Sequence, residues 1–237
     1  MAVPDLANER LGRIAAFVQS YLQEAADRQG RPAADVNYRW QHTLRVCHYG
    51  QSLATAEGGN PEIVLAACLL HDVGTFEPGE WDDHGRRGAE IARPVLQDMG
   101  YLPREVEAIC YAVANHVDVD QLETIEAKIV TDADNIDRFG AYQILRWCQE
   151  DQDDFEHLAD RLAARLPRLQ HYRRRQLLET ASGTALFRQH VGLQITVFRA
   201  LLREREMSRM PRLEPLPEAE QPMEGERPPA RIRAACV

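Results

Sequence analysis

The sequence predicts an all-α protein, and three observations carry that expectation. Apolar residues recur at three- and four-residue spacing, as in Leu11, Ile14, Ala15, Val18 and Leu22, which fall on one helical face. Helix punctuation is frequent: Asn60-Pro61-Glu62 reads as an N-cap, a proline at the first helical position and an acid in the first turn. Alternating apolar-polar runs, the mark of strands, are scarce.

A first helix is expected over Leu6 to Arg28, ended by Gly30-Arg31-Pro32. A second covers Asn37 to Glu57 and closes at Gly58-Gly59, and a third starts at Pro61 and delivers His71-Asp72. Thr75 to Asp83 reads as a loop, with Asp82 or Asp83 placed to cap a helix from His84 to Asp98. Pro103 opens the next helix, which ends near His116; Val117 to Glu123 is a short acidic connection. Helical patterns then cover Ile125 to Phe139, Tyr142 to Gln149, the stretch after Asp153 to Leu166, Tyr172 to Thr180, and Thr184 to Met207. From Ser208 onward lie six of the chain's 13 prolines and only isolated apolar residues. Residues 208–237 therefore read as a flexible, Pro-rich tail behind a folded unit of residues 1–207.

With 237 residues, 44% of them hydrophobic, the chain is long enough for one generous domain. Its net charge of −9 disfavours binding to nucleic acid or anionic lipid, since the global field repels phosphate. The longest apolar run, Ile63 to Leu70, falls far short of the ~20 residues that cross a bilayer. The first ten residues lack the apolar core of a signal peptide, so a cytoplasmic location is expected. Five cysteines without a Cys-x-x-Cys pair point to reduced thiols and away from a cysteine zinc site. Six acids in Glu150 to Asp160 precede six arginines in Arg161 to Arg175; these read as solvated faces that pair across a turn, with an anion or RNA site on the basic stretch as the lesser alternative.

His71-Asp72 is the feature that points to chemistry. An imidazole nitrogen and a carboxylate oxygen can share one divalent ion, and Gly74 lets the backbone turn away. His42, His84, His116, Asp132 and Asp134 stand where a helical fold can bring them to the doublet. Each has an ordinary explanation alone: a packed histidine, a helix C-terminus, a solvated acidic face. Together, in the order His, His-Asp, Asp, they form a set of mixed nitrogen and oxygen ligands suited to manganese, iron, nickel, cobalt or zinc rather than calcium. Such an ion activates water and offsets phosphoryl charge, which hydrolysis of a phosphate ester requires. Arg45, one turn from His42, and Arg86 and Arg87, near a helix N-terminus, are placed to meet a phosphate.

The pattern resembles the HD superfamily of metal-dependent phosphohydrolases, and within it small bacterial members of unassigned substrate. The shared motifs are His42-Thr43-Leu44-Arg45-Val46, Ala66 to Gly74 around the doublet, His84 with Gly88-Ala89, Asn115-His116, and Glu126-Ala127-Lys128-Ile129-Val130 running into Asp132 to Asp137. They cover roughly Val36 to Arg146. The resemblance implies an HD-domain helical bundle, core 36–146, with additional C-terminal helices and the tail. It implies metal ligands His42, His71, Asp72 and Asp134, the last preferred over Asp132 although Asp132 satisfies the spacing almost as well. One ion is implied, or two with Asp72 bridging and His84 and His116 holding the second; these histidines alternatively contact phosphate. The expected activity is hydrolysis of a nucleotide or small phosphorylated metabolite by a metal-activated water, with Asp72, His84, His116 and Arg45 in catalytic places and Arg86, Arg87 and Lys128 binding substrate. An HD-type di-iron oxygenase and a non-catalytic metal-binding module are the alternatives. The loop from Thr75 to Trp81 lacks the basic residue of many relatives, and the helices after Asp151 have no counterpart, so both are expected to shape the substrate pocket or an oligomer contact.

Overall fold

A computed structural model describes residues 8–117, 122–150, 154–175 and 177–208. Among them the chain forms nine α-helices and one short 3-10 turn, with no strand: α1 Glu9–Arg28, α2 Ala33–Glu57, α3 Pro61–Leu70, the 3-10 turn Trp81–Asp83, α4 His84–Asp98, α5 Pro103–Asn115, α6 Ile125–Arg138, α7 Ala141–Glu150, α8 Phe155–Arg174 and α9 Ala181–Ser208. The tail expected after Ser208 lies outside the described residues. No helix among the described residues is long and apolar enough to cross a membrane.

Helix α3 is the hub. Its eight residues from Ile63 to Leu70 are all buried, and α1, α2, α5 and α6 pack around it. A helix apolar on every side has no solvent face, so it can only be a central rod. Its start is fixed as the sequence predicts: the Asn60 side chain accepts from the amides of Glu62 and Ile63, with Pro61 next in line. Gly50 lets α2 approach closely, since a Cβ there would stand 2.6 Å from Cys68 Sγ. Gly74 performs the same service beyond the doublet: a Cβ would lie 2.5 Å from the His84 carbonyl oxygen and 2.7 Å from the Gly88 nitrogen. The loop between is tethered to α1 by Glu77, which accepts from Tyr21 (2.7 Å) and Arg28 (2.5 Å).

Two expectations are corrected. The break expected between Leu166 and Tyr172 is absent, because α8 runs through Pro167 to Arg174, and the helix expected on to Thr180 is missing, residues 177–180 being non-helical. Pro167 removes one backbone hydrogen bond, but Leu158, Leu162 and Leu169 on either side of it share a buried face against α9, and packing outweighs the local defect. Asp83 stands before α4 without capping it through its side chain; it pairs instead with Arg86 at 3.4 Å.

Asp132 is an anchor. Fully buried, it accepts from the amides of Glu179 (2.9 Å) and Thr180 (2.8 Å) and from the Thr180 hydroxyl (2.6 Å), fixing the turn that launches α9. Asp132→Ala strips three hydrogen bonds from a buried turn and should lower stability by about 2–4 kcal/mol. The measurement is urea denaturation, and bound metal in the folded variant should match the parent protein.

Candidate metal centre

Three of the four histidines of the centre end a helical turn. His71 follows α3, His116 follows α5 and His84 follows the 3-10 turn, each in the cap position with right-handed helical backbone. In all three the ring Nδ1 lies on the carbonyl three residues back: Cys68 (2.7 Å), Val113 (2.8 Å) and Trp81 (2.6 Å). A carbonyl only accepts, so Nδ1 must carry the hydrogen and the neutral ring turns an Nε2 lone pair inward. His42, in the middle of α2, meets the same condition through a carboxylate, its Nδ1 lying 2.7 Å from Asp137 Oδ2.

The four Nε2 atoms converge on Asp72. Its Oδ2 lies 3.3 Å from His42 Nε2 and 3.2 Å from His71 Nε2, and its Oδ1 lies 3.1 Å from His84 Nε2 and 3.9 Å from His116 Nε2. Asp134 Oδ1 stands 3.2 Å from His42 Nε2. The two imidazole pairs are themselves close, His42 to His71 at 3.2 Å and His84 to His116 at 3.1 Å. The donors thus form two lobes sharing one carboxylate: His42, His71, Asp72 and Asp134 on one side, His84, His116 and Asp72 on the other. An ion held at about 2.1 Å by nitrogen and oxygen donors has neighbouring donors about 3.0–3.4 Å apart, from octahedral to tetrahedral geometry. The observed separations fit that polyhedron, so the residues present suit a divalent cation. His42, His71 and Asp134 form one group able to hold an ion, and His71, Asp72 and His116 another.

Electrostatics agree. Burial alone would raise the Asp72 carboxyl, but Arg39, His71 and His42 outweigh it and hold it well below the usual carboxylate range. Asp134 is likewise held low against burial by Arg138 and His42. His42 is disfavoured as a cation by burial, yet Asp134, Asp137 and Asp72 raise it well above its ordinary value. Burial and the neighbouring His71 push His116 down to about 3, so its ring is neutral. Asp132, unlike these, has its carboxyl raised by burial and faces α9. That separates the two aspartates that spacing alone left nearly equal.

The expected cations are placed differently. Arg45 does not face the centre: Nε and Nη2 clamp Asp137 at 2.6 and 3.0 Å, and the guanidinium covers the Tyr142 ring. It braces the Asp137 carboxylate that lies on His42 Nδ1. Arg86 faces solvent beside Asp83. Arg87 donates to the Glu80 carbonyl at 3.0 Å and braces the loop. Lys128, six residues before Asp134 on α6, stands about 120° around the helix from it and about 9 Å along it. Two arginines missed by sequence reasoning replace them. Arg39 pairs with Asp72 Oδ2, and Arg138 meets Asp134 Oδ2 at 2.8 Å. Arg39 is three residues before His42, as Arg45 is three after, so the same spacing argument pointed equally to both.

Beside Asp72 opens a cavity of about 170 Å³, lined by Arg31, Asp35, Tyr38, Arg39, Thr75, Phe76, Trp81 and Arg146. Arg39 and Thr75, the latter donating to Asp72 Oδ1 at 3.1 Å, join the cavity to the centre. Thr75, Phe76 and Trp81 of the loop after the doublet line it; α8 and α9 supply none of its wall.

Asp134→Ala should reduce metal affinity sharply, in contrast to Asp132→Ala. Arg45→Gln should weaken metal binding by about 10- to 100-fold, read by titrating chelator-stripped protein. Unchanged metal affinity in that variant would remove Arg45 from its role behind His42.

The centre lies in the part of the chain that is similar to known proteins. Residues 39–138 match the HD domain. The chain is 30% identical over 88 residues to the candidate phosphohydrolase YueE of Bacillus subtilis (strain 168), covering 32% of this chain and 50% of YueE. It is 32% identical over 97 residues to ribonuclease Y of Alkaliphilus metalliredigens (strain QYMF), covering 40% of this chain and 19% of that protein. The chain therefore spans at most half the length of these relatives. Among solved structures, a predicted HD superfamily hydrolase from an uncultured Thermotogales bacterium superposes with TM-score 0.59 at 22% identity, covering 80% of this chain and 91% of that one. Bacillus subtilis YpgQ, solved in complex with ADP, superposes with TM-score 0.59 at 20% identity, covering 83% and 95%. The match to the HD domain over residues 39–138 takes in the doublet at the end of α3 and the His and Asp side chains brought to it from α2, α4, α5 and α6.

Proposed function

We propose that this protein is a metal-dependent phosphohydrolase acting on a nucleotide or a small phosphorylated metabolite. The observation that carries the reading is the junction of two features: a buried set of inward Nε2 atoms and carboxylates, and a cavity lined in part by Arg31, Arg39 and Arg146 that is joined to Asp72 through Arg39 and Thr75. His42, His71, Asp72 and Asp134 would hold one divalent ion, and His84 and His116 with Asp72 a second. Bound ions supply Lewis acidity toward a phosphoryl oxygen and acidify water.

The remaining chemistry belongs to the cavity. Arg39 stands between Asp72 and the open space, so its guanidinium can meet phosphoryl oxygens of a molecule lodged there. Arg31 and Arg146 add positive charge at the rim. Trp81, 53% exposed, with Phe76 and Tyr38, offers flat apolar surface beside those cations. Cations next to aromatic faces suit a phosphate attached to a planar group, and the ADP bound by YpgQ supports a nucleotide. The two lobes together would also suit a pair of irons for dioxygen chemistry; the arginines around the cavity favour a phosphorylated substrate.

The test is elemental analysis of protein purified without chelator, together with phosphate release from nucleoside di- and triphosphates and an aryl phosphate. Manganese, iron, nickel, cobalt or zinc should be present, and turnover should fall to the chelated level in His71→Ala and Asp72→Ala. Phosphate release that persists in both variants would end the proposal. Arg39→Gln should raise KM by about tenfold or more, the scale of a hydrogen bond to a charged group.

A further inference from the structure

Away from the metal centre, α8 presents Arg161, Arg165 and Arg168 at spacings of four and three residues, which aligns three guanidinium groups along one stripe. The stripe rims a groove of about 290 Å³ whose floor is Trp147, Leu158 and Leu162. Arg161 is held by Glu150 at 3.2 Å, and Arg168 donates to the Tyr172 hydroxyl. Arg165 lies 4.5 Å from the Trp147 ring centroid and 5.5 Å from that of Phe139. Its Nε is buried without a hydrogen-bond partner, and no carboxylate among the described residues pairs with Arg165 or Arg168.

Packing of arginine stems over an indole explains part of this arrangement, since such stems cover apolar surface while the charge stays wet. It does not explain why the neighbouring heads converge on one concavity, in a chain of net charge −9 where acids are abundant. Like charges at helical spacing repel unless an anion sits among them. Burial and the adjacent Arg168 and Arg161 all work against the Arg165 charge.

We propose that this groove is an anion site, separate from the metal centre, that takes a small molecule bearing two or more linked phosphates. The guanidinium forks of Arg165 and Arg168 match phosphate oxygens in pairs, which a lone carboxylate would satisfy less well. The phosphates could belong to a free phosphate anhydride or to a nucleotide whose base reaches the Trp147 edge.

Chelator-treated full-length protein would be titrated calorimetrically with pyrophosphate and with ADP at about 0.15 M salt. Pyrophosphate should bind saturably, with affinity reduced about tenfold or more in Arg165→Gln. The Arg161→Gln/Arg168→Gln pair alters half-exposed and exposed positions and should show the same loss with the indole packing intact. Tighter binding of ADP would mean that the site takes nucleotides, and tighter binding of pyrophosphate that it takes the free anhydride. Equal affinities in the parent protein, Arg165→Gln and the double variant, or no saturation below ~10 mM, would reduce the stripe to arginine–aromatic packing.

Discussion

The fold is organised around a carboxylate it could not tolerate without help. Asp72 is 1% exposed, and an ionised carboxylate removed from water costs several kcal/mol unless positive charge or donors surround it. The bundle meets that demand from five directions: α2 sends Arg39 and His42, α3 ends in His71, the following turn sends Thr75, α4 begins with His84 and α5 ends in His116. Much of the rest follows. The apolar rod α3 exists to carry the doublet to the centre of the helices, and Gly74 exists because the chain must leave that spot past the backbone of α4.

Positive charge is divided by distance from this carboxylate. Arg39 and Arg138 touch the inner acids, Arg45 works one carboxylate further out through Asp137, and Arg31 and Arg146 wait at the rim of the cavity. Each outer layer fixes the one inside it. His42 shows the benefit: as the sole histidine of the four in mid-helix, it has no carbonyl of its own turn available, and Asp137 with Arg45 takes that part.

Most of the helical framework was legible because its signals are local. Asn60, Pro61 and Glu62 cap α3 as read, and the boundaries of α4 and α5 follow Asp98 and Pro103 closely. The continuous α8 was hidden, because Pro167 speaks for a break and only the buried leucines on both sides, visible once α9 is in place, overrule it. The residues that meet at the centre were legible for a similar reason: His42, His71-Asp72 and Asp134 stand in an order that a helical bundle can bring together. What each arginine touches was not, since Arg39 and Arg45 are equivalent by spacing and differ only in what α6 and the loop around Trp81 bring near them. Asp132 and Asp134 differ by about 200° around one helix, a rotation that becomes meaningful only when α9 takes the outer side.

The three histidines that end their turns also say something about how such a centre can persist. Each ring is anchored to a carbonyl only three residues away, so its aim is stored within four consecutive residues and travels with that segment. Drift in distant packing can slide these turns as units without spinning the rings. His42 alone borrows its aim from another helix, through a partner 95 positions along the chain. Substitutions between α2 and α6 will therefore misdirect one imidazole while sparing three, and this single joint is where the aim of the four rings is most readily changed.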